Sequence, residues 1–216
     1  MSIKPRKSPG PGRPKDLEKR GAILDAAKRL FPQRGFEGVS MDAIAAEAGV
    51  SKLTVYNHFQ DKETLFGEAV KAHCEAQLPH EMFEIRPGAG PIRESLRKIA
   101  QAFHGLITSP EAISLQRMLA ARALAGDGDT SLAQLFYEAG PKRTLSEFDA
   151  FLRQANATGA LQVPDTLRAA AHFFCLLKGE MHQRMMVGCC HGVSAGECQA
   201  HIDSVIDLFL RAYAPR

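Results

Sequence analysis

The chain has 216 residues, 45% of them hydrophobic and 24% charged, with a net charge of +3. That is enough apolar material for a proper core, which excludes a chain disordered throughout. No apolar run approaches the roughly eighteen residues a membrane helix needs.

The start, MSIKPRKSPGPGRPK, is basic and rich in proline, with none of the apolar residues of a secretory signal behind it. Five cysteines, an odd number, then fit reduced thiols, and the cytoplasm is the expected location. Charge is uneven. Residues 1–60 hold eleven bases against six acids, a surplus of five, and residues 61–216 are net −2. Up to Lys15 there are five bases and no acid. A positive front end on a near-neutral body fits a polyanion partner or a solubilising tail.

In chain order, proline and glycine between Pro5 and Pro14 predict a flexible basic arm over residues 1–15. From Leu17, the apolar positions Ile23, Leu24, Ala27, Leu30 and Phe31 have helical spacing. Pro32 is expected to bend or tighten the end of that helix, and Gly35 to close it. Ser40 is a good cap for a short second helix, with Asp42 near its positive end. Gly49 can take the left-handed conformation that stops it, Ser51 can cap a third helix, and Asp61 a fourth.

Further on, RPGAGP (Arg86–Pro91) reads as a linker, followed by helices over Ile92–Ile107 and Glu111–Leu124. Ser131–Ala157 reads as a long helix broken or kinked at Gly140–Pro141. Asp165 can cap a helix to about Val187, and Ala195–Tyr213 is the last. No alternating strand pattern and no internal repeat stands out. The fold class is all-α, with about nine helices.

The third helix carries the informative pattern. At about 100° per residue, Val55 and Phe59 point inward with Lys52 and Ser51 on the same side. Leu53, Asn57 and Gln60 point away from them, with Thr54 and Tyr56 on the flanks and His58 beside that face. Two short helices joined by a glycine turn, the second displaying donors and acceptors, make a helix-turn-helix. The major groove of B-DNA, about 12 Å wide, accepts one such helix. Asn can bond adenine in two places, and a leucine or threonine methyl can touch thymine. A solvated surface helix in a bundle has the same spacing.

Ile23–Phe66 closely resembles the DNA-binding domain of the TetR/AcrR family of transcriptional regulators. The matching pieces are AAKRLF, RGF, AIAAEAGVSK, YNHF and DKETLF, in the usual order and over about a fifth of the chain. The resemblance implies an all-helical homodimer with a three-helix reading head over residues 16–62. The body, residues 63–216, would bind a small effector and dimerise. It implies that Thr54, Tyr56 and Asn57 lie in the groove, that Lys52, His58 and Lys62 hold phosphates, and that Ser40 and Met41 lie near the DNA backbone. Leu53 stands where a small residue is often seen, which makes its contact apolar. Repression is the family's commoner mode.

In the body, wide apolar bands on the last two helices predict a four-helix bundle across a two-fold axis, with Phe173, Leu177, Met185, Ile202, Val205, Ile206 and Phe209 at the seam. Effector contacts are expected from Phe103, His104, Ile107, Met118, Leu119, Phe136, Tyr137, Phe174 and Met181. Met and Phe line adaptable pockets, and His104 or Tyr137 can supply a polar anchor. CCHGVSAGECQAH raises a metal site or a thiol switch; it lacks the two-residue gap between paired cysteines usual in zinc sites, so no metal is expected, and Cys189, Cys190 and Cys198 read either as a thiol sensor or as buried, inert sulfur. No cofactor-binding loop and no HExxH or nucleophile motif is present. The competing readings are an all-helical enzyme or ligand carrier with an incidental basic start, and a protein that coats DNA without sequence preference.

Overall fold

A computed structural model describes residues 13–86, 88, 90–124, 130–190, 192 and 194–215, with the backbone alone for 13–15. Residues 1–12 of the expected arm, and His191, lie outside the described residues. The elements are α1 (Arg13–Arg34), α2 (Met41–Ala48), α3 (Lys52–His58), α4 (Lys62–Gln77), a 3-10 turn (His80–Phe83), α5 (Ile92–Thr108), α6 (Pro110–Leu124), α7 (Ser131–Tyr137), a π turn (Glu138–Lys142), α8 (Arg143–Ala157), α9 (Thr166–Met186) and α10 (Ala195–Tyr213). With α7, the π turn and α8 counted as one rod, the described residues form nine helices, and they include no strand.

The chain divides into two compact units between Ala69 and Val70. In the first, Phe31, Phe36 and Phe66 meet pairwise at 5.3–5.8 Å between ring centroids. Ile23, Ile44, Val55 and Phe59 are almost inaccessible around them. Leu65 and Phe66 belong to this core as well, and the unit ends at Ala69. α1 starts earlier than expected, at Arg13, and continues through Pro32 to Arg34. Proline is tolerated in a first helical turn, and Asp16 places an acid at the positive helix end.

In the second unit the π turn forms at Glu138–Lys142, around the expected break, where Pro141 has no amide hydrogen to give. Phe148 is the centre of the core. Its ring lies 4.7–6.3 Å from those of Phe151, Phe173, Phe174 and Phe209. Arg117 of α6 donates to the carbonyls of Met185 and Met186, placing a cation at the negative end of α9.

This core takes the residues expected at a subunit seam. Phe173, Leu177, Met185, Ile202, Val205, Ile206 and Phe209 are all buried inside the single chain, at 0–7% exposure. Their apolar band is wide because α9 and α10 pack against α5, α8 and each other. The apolar surface those helices leave bare lies elsewhere, at Leu167, Leu176 and Leu208. The cysteines also differ from expectation. Cys189 is exposed and Cys190 and Cys198 are half-buried, whereas Cys74 is buried and its thiol is pushed up to about 11 by that burial. Among the described residues, no helix is long and apolar enough to cross a membrane, and no group of three or more His, Cys, Asp or Glu could hold a metal ion.

Candidate nucleic-acid interface

Local chemistry sets the two short helices. Ser40 accepts from the Ala43 amide at 3.1 Å and opens α2. Gly49 ends it at φ 67, ψ 30, a conformation that costs a residue with a Cβ. Val50 N–H then returns to the Ala45 carbonyl at 3.0 Å. Ser51 caps α3 by accepting from the Thr54 amide at 3.1 Å, and its hydroxyl lies 2.8 Å from that of Thr54. Asp61 caps α4 through the Thr64 amide, and hydrogen bonding from the Thr64 side chain, with the amide adding to it, holds its carboxyl below the usual range.

α3 is fixed by Val55 and Phe59, which are 0% and 1% exposed. The Arg20 guanidinium lies over the Phe59 ring at 5.1 Å and pairs with Glu68 at 2.7 Å. Outward stand Leu53 at 70% exposure, Tyr56 at 43%, and Asn57 and Gln60, both exposed. Among the described residues the side chain of Asn57 has no hydrogen-bond partner, so its amide is available. The hydroxyl of half-buried Thr54 is held by Ser51.

The other expected contacts have protein partners. Lys52 pairs with Asp42 at 2.8 Å, both exposed, and that hydrogen bond raises its pKa. His58 is turned toward α1, with Nε2 3.2 Å from Asp16 Oδ1 and its side chain 12% exposed. Met41 is 7% exposed and faces the core, so only its backbone is near the surface where Ser40 lies exposed. Lys62 donates to the Phe36 carbonyl at 2.9 Å and sits 4.2 Å from the centre of that ring. It staples the α1–α2 connection. Lys62→Met is therefore expected to lower stability by about 1–3 kcal/mol, the worth of a charged hydrogen bond and a cation–π contact, measured by chemical denaturation. A lysine serving a phosphate alone would leave stability unchanged and reduce the salt dependence of DNA binding instead.

In the body, Phe103, His104, Ile107, Leu119 and Phe174 are buried, while Met118, Phe136 and Met181 are half-buried and Tyr137 is 48% exposed. The structure brings Phe103 against Phe174 at 4.4 Å and His104 beside His201 at 6.2 Å between ring centroids. Burial pushes the pKa of His104 and of His182 down, with His201 adding to the first, Lys178 and His104 to the second. His182 was missed from sequence, because a polar residue on an amphipathic helix reads as surface.

Comparison with known proteins adds to this geometry. Residues 23–69 match the model of the bacterial regulatory proteins of the tetR family, and residues 94–215 match the C-terminal domain of AefR-like transcriptional repressors. The second match covers more than half of the chain. The chain belongs to the TetR family.

This TetR-family transcriptional regulator is similar to the transcriptional activator FasR of Mycolicibacterium smegmatis, 35% identical over 44% of this chain and 42% of that one. It is also similar to the regulator AcrR of Shigella flexneri, 49% identical over 24% of each. The chain thus spans less than half the length of each of these curated relatives. Likeness to solved structures runs further. A TetR-family regulator from Mesorhizobium loti has a TM-score of 0.75 and 28% identity, covering 93% of this chain and 99% of that one. The flavonoid-responsive regulator FrrA has a TM-score of 0.69 and 32% identity over the same shares. The family and these relatives are transcriptional regulators, not enzymes.

Proposed function

We propose that this TetR-family regulator is a homodimeric repressor that binds a palindromic operator and releases it when a small, largely apolar effector enters the body. The observation that carries the DNA reading is the bare outer row of α3. Leu53, Tyr56 and Asn57 stand exposed on a helix pinned by Val55 and Phe59, with Thr54 at its edge. Ser40 and Lys52, exposed at the starts of α2 and α3, suit phosphates. The match to AefR-like repressors, over a longer stretch than the likeness to the activator FasR, favours repression. The name of FrrA favours an aromatic effector, and the packed rings of Phe103 and Phe174 in the body are chemically suited to one. Localisation in the cytoplasm accords with this role.

A two-fold dimer sets two reading helices about one DNA turn apart, roughly 34–36 Å, which is why the operator is expected to be a palindrome. Selection of bound duplexes from random DNA tests this. An inverted repeat supports the reading, and a salt-sensitive affinity without sequence preference refutes it. The bare leucines of α9 and α10, Leu167, Leu176 and Leu208, are the proposed dimer surface. Leu208→Glu is expected to weaken self-association at least about tenfold by burying an unpaired charge, read by sedimentation at micromolar concentration.

A further inference from the structure

His104 of α5 and His201 of α10 stand 6.2 Å apart between ring centroids, and His182 follows by one helical turn the Gly179 of α9 that His201 covers. α9 breaks there. Gly179 sits at φ 53, ψ −166, a region closed to residues with a Cβ. A Cβ on Gly179 would come within 2.9 Å of His201 Cε1, so the His201 ring occupies the space a side chain would take. His201 Nε2 lies 3.2 Å from the Leu177 carbonyl, in the turn that the break interrupts. His201 is thereby engaged. His104 and His182 are not: Nε2 of each is sealed from solvent and has no partner among the described residues. His104 is 4% exposed, and Phe103, next to it in α5, packs against Phe174.

We propose that His104 and His182 hold the polar head of the effector, and that this head is a weakly acidic hydroxyl, phenolic or carboxylic, on an apolar body. This rests on the effector-responsive reading above. Buried polar nitrogens normally find a partner, and one oxygen of a ligand can serve two of them. A phenol donates to one imidazole and accepts from the other, while a carboxylate accepts from both. The charge around the pair sets the sign. His201 acts on His104, and Lys178 and His104 act on His182, with no carboxylate acting on either among the described residues. A cationic head is disfavoured there, and an anionic one is drawn in.

The test uses the full chain and four probes with one apolar frame: 2-naphthol, 2-naphthoic acid, 2-methylnaphthalene and 2-naphthylmethylamine. The histidine ring protons are followed by NMR, and affinity and proton exchange by calorimetry in buffers of different ionisation enthalpy. The naphthol and the acid are expected to shift His104 and His182 and to bind at least about tenfold tighter than the other two. The acid takes up a proton near neutral pH as it raises the imidazole pKa values, and the naphthol does not. His104→Met and His182→Leu are expected to erase the preference while raising the melting temperature, because each removes a buried group that lacks a partner. Equal affinity for all four probes overturns the proposal. So do shifts confined to the exposed His80 and His172, a preference that survives in both variants, or no shift at either histidine. Operator release measured alongside separates the two readings. Probes that occupy the pair without releasing DNA refute the effector role and leave the site. Release that persists in both variants refutes the site and leaves the role.

Discussion

Phe148→Ala is expected to destabilise the protein by about 3–5 kcal/mol, the usual loss for a buried aromatic replaced by alanine. Phe148 is fully buried, and four other phenylalanine rings lie within 6.3 Å of it, on α8, α9 and α10. Its removal takes away the apolar transfer term and opens a space that packed rings cannot collapse to fill, since neighbours on three helices would have to move together. The ring–ring contacts add to the loss. Urea denaturation measures it, with Leu124→Ala as the control. Leu124 is 87% exposed, so its change should stay within about 0.5 kcal/mol. A loss below about 1 kcal/mol for Phe148→Ala would mean that the rings do not form one core.

Tyr56→Ala and Asn57→Ala are expected to act on DNA and not on folding. Both side chains are exposed, and neither contributes to the Val55–Phe59 anchor. Removal of a bidentate base contact costs about 1–3 kcal/mol for each half-site, roughly five- to 150-fold in affinity, and relaxes the choice of base at one position. Denaturation midpoints should stay at the native value. Binding to the selected operator and to a scrambled duplex, compared at one salt concentration, separates this outcome from general weakening. Equal loss on both duplexes would point to a phosphate contact, and a lowered midpoint to a structural one.

Stability should also fall as pH drops from 7 towards 5. The pKa values of His104 and His182 are lowered in the fold, so the unfolded chain binds more protons below its ordinary value near 6.5. Their contribution is fully present above that value and is lost as pH falls through their folded values. His80 runs the other way. Its hydrogen bond with Glu147 raises its pKa, so its contribution is present in acid and lost as pH rises through the raised value. It is exposed to solvent and screened, so His104 and His182, whose Nε2 atoms are sealed from solvent, are expected to dominate. Thermal melts of the native chain and of His104→Met test this. The acid loss should shrink in the variant, and an unchanged pH profile would contradict it.

The reading head was legible because its signals are local. Ser40, Gly49, Ser51 and Asp61 act on backbone within a few residues, so the residue type alone indicates the cap. Pro141 likewise announces its break, because a missing amide hydrogen cannot be supplied by context.

What depended on distant partners was not legible. Gly179 passes for a tolerated glycine inside a helix until His201 is seen in the space above it. Helical spacing established that Phe173 and Ile206 face something apolar, but could not separate the chain's own core from a second subunit. Lys62 and His58 have the side chains a phosphate site needs, and each is engaged by the head itself, through Phe36 and Asp16. A charge on a short helix indicates what it can bind, while its neighbours decide what it does bind.

The most direct test of the central claim, that the outer row of α3 reads bases in the major groove, is base-analogue interference on the selected operator. Major-groove changes, such as loss of adenine N7 or the thymine methyl, are predicted to block binding in two clusters about one helical turn apart, with minor-groove changes tolerated there. Binding that ignores every major-groove change would contradict the account.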